Sequence, residues 1–192
     1  MIAIIKYNAG NIRSVQNALN RLGYKSVITD DPDAILSADK VIFPGVGEAS
    51  SAMKYLREKG LDKVLWSVKK PMLGICLGLQ LMCDHSEEGD TKCLGIFNAV
   101  VKKFPPLDKV PHMGWNNFTN IKGTLFNHIE LENDVYFVHG YYAELSDETV
   151  ATCNYIQPFS AAMQKDNFYA TQFHPEKSAD VGAQLLKNFL EL

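Results

Sequence analysis

The stretch that most restricts how this chain can fold is residues 70–84, KPMLGICLGLQLMCD. Residues 71–75 form a short apolar run suited to a buried strand, and residues 77–83 carry helix formers at helical spacing. A chain that passes from buried strand to helix this abruptly must turn sharply at Cys76. Gly74 and Gly78 flank the cysteine, and a β-carbon at either position would crowd the neighbouring strand or helix in so tight a turn. Gly-x-Cys-x-Gly is the thiol form of the strand-turn-helix elbow that holds a nucleophile up at the carboxyl end of a sheet. Just ahead of a helix, the thiol also feels the positive end of the helix dipole, which favours the thiolate. Taken alone, the same pattern fits a core cysteine at a buried strand-helix junction.

The residues before the elbow supply a sheet for it. Residues 2–6 read as a buried first strand and residues 8–11 as a turn, after which Ile12, Val15, Leu19 and Leu22 mark one face of a helix that stops at Gly23. Residues 24–29 read as a second strand broken by Asp30-Asp31-Pro32, and residues 41–43 as a third that ends in Pro44-Gly45-Val46-Gly47. Helical stretches at 48–59 and 61–69 lead into the elbow strand. This alternation predicts an α/β fold with an open, mostly parallel sheet flanked by helices and with functional loops at the carboxyl ends of the strands. From Leu94 the pattern changes to strand-like runs near 95–104, 135–142, 149–156, 160–164 and 168–173. With few helical patterns between them, these runs are expected to pair antiparallel at the sheet edge or to form a smaller second sheet. Ser178 is the expected N-cap of a final helix whose buried face carries Val181, Leu185 and Phe189.

At 192 residues, 46% hydrophobic and 21% charged, the chain suits one domain spanning 1–192 with a sizeable core. A net charge of -3 leaves no basic footprint, so nucleic acid is not an expected partner. No apolar run approaches a membrane span and the opening MIAIIKYNAGN is too short for a signal peptide, which predicts a cytoplasmic protein with no membrane partner. Cys76, Cys83, Cys93 and Cys153 form neither a CxxC pair nor a zinc-type cluster and are expected to be free thiols.

Two further clusters carry chemistry. Phe173-His174-Pro175-Glu176 follows a strand, and residues two apart on extended backbone point the same way, so His174 and Glu176 can lie side by side. A carboxylate there fixes the imidazole's tautomer and leaves its other nitrogen free to take a thiol proton, which with Cys76 makes a Cys-His-Glu triad. The plainer alternative is a strand-to-helix turn in which Glu176 favours a helix N-terminus. In Pro44-Gly45-Val46-Gly47, two glycines let backbone N–H groups turn toward an incoming carbonyl oxygen, and with the amide of Leu77 they could form an oxyanion hole. Glycine turns also end many α/β strands without catalytic duty.

Together, GICLGLQ and HPE resemble the class I, triad-type glutamine amidotransferases, in which a cysteine attacks the side-chain amide of glutamine. YNAGN at 7–11, PGVG at 44–47, PHMGWN at 111–116, FVH at 137–139 and HPEKS at 174–178 are similar to the glutaminase subunits of imidazole glycerol phosphate synthases. The resemblance implies a flavodoxin-like amidotransferase fold with additional antiparallel strands. It implies Cys76 as nucleophile, His174 as general base and then acid, and Glu176 as the orienting carboxylate. It places the oxyanion hole at Gly45, Val46, Gly47 and Leu77, and the substrate glutamine against Gly47, Gln80 and the main chain of His139 and Gly140. No metal or organic cofactor is implied. Ammonia needs an acceptor, and the resemblance implies a heterodimer with a (β/α)8-barrel cyclase subunit that Asn11, Trp115 and Lys177 would face. Three departures stand out: Lys6 where the family usually has an acid, Asn8 where it has glycine, and Gly140 where it has serine or threonine. A glutaminase serving another synthase, such as that for pyridoxal phosphate, an elbow-cysteine redox protein and a silent binding module remain alternatives.

Overall fold

The computed structural model describes residues 1–192. Its first half alternates as the apolar periodicities require: β1 (Ile2–Ile5), α1 (Ile12–Arg21), β2 (Ser26–Thr29), α2 (Pro32–Ser37), β3 (Lys40–Phe43), α3 (Ala49–Glu58), α4 (Leu61–Ser67), β4 (Met72–Ile75) and α5 (Leu77–Met82). Every residue of β1 and β4 is buried, which is why both read as unbroken apolar runs rather than alternating ones. Helix α2 falls where the sequence predicts only a break. Asp31 caps it, accepting from the Ala34 amide at 2.8 Å, and Pro32 at the first turn has its φ already set for a helix.

The second half adds β5 (His85–Ser86), β6 (Thr91–Lys92), β7 (Val100–Lys103), β8 (His112–Asn116), β9 (Asn120–Ile121), β10 (Val135–His139), β11 (Tyr141–Ala143), β12 (Thr149–Tyr155), β13 (Gln157–Lys165) and β14 (Phe168–Thr171), before α6 (Ala179–Leu190). The main sheet runs β2-β1-β3-β4-β14-β13-β12-β9. Its pairs from β2 to β14 are parallel and the remainder antiparallel. Both outcomes expected for the later strands occur, because β11-β7-β5-β6 form a second sheet and β8 pairs with β10 as a ribbon. The run 135–142 is not one strand. Gly140 divides it, leaving β10 in the ribbon and β11 in the small sheet.

Two apolar clusters cover the faces of the main sheet. Ala3 and Ile5 of β1 belong to one with Phe43, Leu56 and Phe97, while Ile2 and Ile4 belong to the other with Leu19, Phe137, Phe173 and Phe189. Ser178 sits at the N-cap position of α6 but its side chain does not cap. Its Oγ instead donates to the His174 carbonyl at 2.6 Å and accepts from the Tyr136 amide at 2.9 Å, fixing the backbone at His174. No helix is long and apolar enough to cross a membrane.

The arrangement that matters for chemistry is the placement of β4 between β3 and β14. The carboxyl ends of these parallel strands bring residues 44–47, Cys76 and residues 172–176 to one edge, where open α/β sheets bind ligands.

Candidate active site

Cys76 is held at φ 54° and ψ -105°, a left-handed backbone that costs a non-glycine residue about 1–3 kcal/mol. Bonds on both sides enforce it, from Cys76 N to the Thr171 carbonyl of β14 at 2.7 Å and from Gln80 N to the Cys76 carbonyl at 3.2 Å. The flanking glycines are needed for packing. A β-carbon on Gly78 would lie 2.0 Å from the Phe43 carbonyl oxygen, and one on Gly74 would lie 2.6 Å from Met82 Sδ.

The His174 and Glu176 side chains are both sealed from solvent, with Nδ1 2.7 Å from Oε1. A carboxylate only accepts, so Nδ1–H donates to Glu176 and Nε2 is left for the thiol. That nitrogen makes no hydrogen bond within the chain. Burial opposes the imidazolium, but the charge of the Cys76 thiolate, joined by that of Glu176, outweighs it and pushes the His174 pKa up to about 10.

The thiol has a second neighbour that sequence reasoning missed. Gln172, fully buried, donates from Nε2 to Cys76 Sγ at 3.6 Å, while its Oε1 accepts from Gln80 Nε2 at 3.1 Å. The two-residue period that pairs His174 with Glu176 would have found Gln172 if run backwards. Burial pushes the other thiols up, Cys93 and Cys153 to about 12 and Cys83 well above its ordinary range. They are poor nucleophiles at neutral pH.

Residues 44–47 lie beside Leu77, as expected, in an arrangement in which the Leu77 amide is already occupied. Leu77 N donates to the Gly45 carbonyl at 3.2 Å. The connector from β1 to α1 holds this turn, with Tyr7 Oη donating to the Pro44 carbonyl at 2.7 Å and Gly10 N to the Val46 carbonyl at 3.1 Å. The same connector reaches the buried pair, since Asn11, at φ 72°, donates from Nδ2 to Glu176 Oε1. Asn11 thus touches the site itself, a contact that the partner-facing expectation did not include.

A cavity of about 190 Å³ opens beside the thiol, lined by Val46, Gly47, Cys76, Leu77, Gln80, Glu88, Pro111, Val138, His139, Gly140 and Tyr141. Gly47, Gln80, His139 and Gly140, which the resemblance assigns to the substrate, lie together in the cavity wall. The Gln80 amide is engaged in the wall, donating to the Tyr141 carbonyl at 3.0 Å as well as to Gln172. Glu88 was missed, because nothing in its local pattern marks it. It accepts from the Ala49 amide at 2.8 Å, and burial raises the pKa of its carboxyl. Its acid suits an ammonium group in this pocket. At Gly140 an added β-carbon would meet nothing nearer than Val110 Cγ1 at 3.8 Å, so a hydroxyl side chain would fit.

Trp115 is 55% exposed and stands on the outer face of the ribbon, 5.8 Å from the Tyr136 ring, over which Lys177 Nζ lies at 6.0 Å. Trp115 is therefore not a core residue. A larger cavity of about 410 Å³ adjoins this face between α1 and α6 and reaches Glu176 from behind. Of the reactive groups named above, Cys76 lines the smaller cavity, while Glu176 borders the larger one. No group of three or more His, Cys, Asp or Glu side chains is arranged to hold a metal ion.

Residues 3–192 match the family model described as glutamine amidotransferase class-I. The chain is 57% identical to a Bacteroides fragilis protein named imidazole glycerol phosphate synthase subunit HisH, the match covering 100% of this chain and 99% of the relative. Proteins of the same name from Bacteroides thetaiotaomicron and Vibrio cholerae are 56% and 47% identical, covering 100% of this chain and 99% and 98% of theirs. Among solved structures, one titled as a glutamine amidotransferase matches with a TM-score of 0.76 at 18% identity, covering 100% of this chain and 98% of that one. PurLQS from Thermotoga maritima matches with a TM-score of 0.72 at 16% identity, over 99% and 97%.

Proposed function

The chain belongs to the class-I glutamine amidotransferases, and we propose that within them it is the glutaminase subunit of an imidazole glycerol phosphate synthase, acting as one domain over residues 1–192. The observation that carries this reading is the convergence of a strained elbow cysteine, a buried His174–Glu176 pair and a polar cavity at the ends of three adjacent strands. Full-length identity of 57% to relatives of that name supports the choice of synthase.

In this reading, glutamine enters the 190 Å³ cavity with its α-ammonium toward Glu88 and its α-carboxylate toward the main chain at His139 and Gly140. Cys76 Sγ, oriented by the Gln172 amide, attacks the side-chain amide carbon and gives a tetrahedral oxyanion. His174, held by Glu176, carries the thiol proton and delivers it to the leaving nitrogen. Collapse breaks the C–N bond and releases ammonia. Water, deprotonated by His174, then cleaves the glutamyl thioester to glutamate and restores the thiol.

The oxyanion needs the Leu77 amide, which the Gly45 carbonyl occupies at rest. Rotation of the Gly45–Val46 peptide frees it and turns the Val46 amide inward, at little cost in a turn with two glycines. One oxyanion donor is worth about 100-fold or more in rate, so a partner that biases this peptide controls turnover. The partner is a (β/α)8-barrel cyclase that receives the ammonia and builds imidazole glycerol phosphate and aminoimidazole carboxamide ribonucleotide on the way to histidine. It docks on the face that carries Trp115 and Lys177. The four free cysteines suit a reducing compartment such as the cytoplasm.

The test is glutamate release by the chain alone, with the cyclase, and with the cyclase holding its nucleotide ligand. Low activity alone, stimulation by the cyclase and its loss in Cys76→Ala are expected. Full activity of the lone chain, or stimulation by an unrelated synthase instead, would refute the reading.

A further inference from the structure

His139 of the pocket wall pairs with a second buried histidine, His112, and the steps above leave both rings unused. His112 Nδ1 lies 3.0 Å from His139 Nε2, and His139 Nδ1 lies 2.7 Å from the Tyr141 carbonyl oxygen. Asn116 Nδ2 lies 3.3 Å from His112 Nε2 and donates to the Asn154 carbonyl at 3.2 Å, while its Oδ1 accepts from the Asn117 amide at 2.9 Å.

Hydrogen-bond direction can be assigned from these partners alone. A carbonyl oxygen only accepts, so His139 Nδ1 carries a proton. The Asn116 oxygen is committed to Asn117, so its nitrogen faces His112 and His112 Nε2 must accept. A neutral His112 therefore has its proton on Nδ1 and gives it to His139 Nε2. Both rings share one tautomer and the chain of donors runs one way, from Asn116 to Tyr141. Burial keeps the rings neutral, pushing His112 down to about 4 and His139 to about 3.

The last bond in that chain spans Gly140. This glycine stands between β10 and β11 in the wall of the glutamine pocket, and the bond from His139 to the residue after it closes the turn. Tyr141's carbonyl also takes the Gln80 amide, tying the turn to the nucleophile's helix. The closure works only while the His139 proton is on Nδ1, and in a neutral imidazole the hydrogen bond at the other nitrogen decides that.

We propose that His112, which does not line the cavity, is a positioning residue for glutamine, because its Nδ1–H fixes the tautomer with which His139 closes the Gly140 turn. This rests on the glutaminase reading. His112 is also stacked on Tyr155 with ring centroids 4.0 Å apart, so its replacement must separate lost packing from the lost proton. His112→Phe keeps an aromatic ring without the donor, and His112→Asn restores an N–H near the Nδ1 position without the ring.

The experiment combines kinetics of the complex with the cyclase, Cys76 labelling and imidazole ¹⁵N NMR. His112→Phe is expected to raise KM for glutamine about tenfold with kcat within about twofold, the pattern of lost binding rather than lost chemistry. Saturable labelling of Cys76 by a glutamine-like diazo ketone should weaken by the same factor, while labelling by iodoacetamide holds, and His112→Asn should recover most of the loss. In the wild-type protein both rings should appear as neutral Nδ1–H tautomers. A His139 proton on Nε2 overturns the proposal, as does an unchanged KM in His112→Phe, or equal losses toward both labels. A wild-type complex that releases no glutamate would instead overturn the glutaminase reading, and the NMR result would still decide the tautomer.

Discussion

Adding one methyl group at Gly78 should damage catalysis more than it damages the fold. The new β-carbon would lie 2.0 Å from the Phe43 carbonyl oxygen, and carbon and oxygen settle no closer than roughly 3.3 Å, so α5 and the end of β3 must part by about 1 Å. Neither side can yield by rotating a side chain, because the obstacle is backbone. Overpacking of this kind costs about 1–3 kcal/mol, which a domain of this size can survive. The parted elements carry the Cys76 elbow on one side and Pro44-Gly45 on the other. A misplacement of about 1 Å between reacting groups can cost about 100-fold in rate. Gly78→Ala should therefore unfold at modestly lower urea, still bind the cyclase, and release glutamate about 100-fold more slowly at saturating glutamine. Gly182→Ala is the matched control, since its β-carbon would lie 1.9 Å from the Pro175 carbonyl oxygen and displace the His174–Glu176 side instead. A Gly78→Ala complex with wild-type kcat would refute the claim that this close approach sets the distance from nucleophile to oxyanion turn.

Three other outcomes are expected. Asn11→Leu removes the donor that Glu176 Oε1 shares with His174, and should lower kcat about tenfold with little change in KM, measured in the complex; a change in cyclase affinity alone would count against it. His139 is held neutral with its pKa lowered to about 3, so the stability it contributes is fully present above pH 6.5 and is lost as pH falls toward 3. Burial holds His112 down in the same way, to about 4, so urea unfolding should show a loss of about 3 kcal/mol between pH 6.5 and pH 5, about half of which disappears in His139→Gln, and equal acid sensitivity of the two proteins would sink the assignment. Gly140→Ser has room for its side chain and should lower KM for glutamine by about threefold, the worth of one added hydrogen bond; a raised KM would mean the hydroxyl does not reach the substrate.

The parts of the site legible in the sequence are those built from neighbours in the chain. Two glycines around Cys76 announce the elbow because a sharp turn leaves no alternative, and His174 and Glu176 pair because extended backbone points them the same way. Gln172 obeys the same period and was legible in principle. Asn11 was not, since its contact with Glu176 spans 165 residues and depends on a left-handed backbone at a position that is not glycine. Glu88 enters the pocket from a short turn with no apolar rhythm, so no local pattern marks it. The break of residues 135–142 at Gly140 escaped because one continuous apolar run serves two sheets. Which way the Gly45 carbonyl points is a choice among backbone states of similar energy, and composition does not encode it.

The connector from Tyr7 to Asn11 grips the oxyanion turn with Tyr7 and Gly10 and the buried carboxylate with Asn11. Short surface connectors are ordinarily where proteins absorb insertions and drift in length. Here one extra residue would slacken both grips together, so this irregular stretch should be as intolerant of indels as the central strands. A library of single-residue insertions, sorted only by whether the folded chain still turns over glutamine, should show the intolerance of β1 continuing through residues 7–11 instead of lifting where the strand ends.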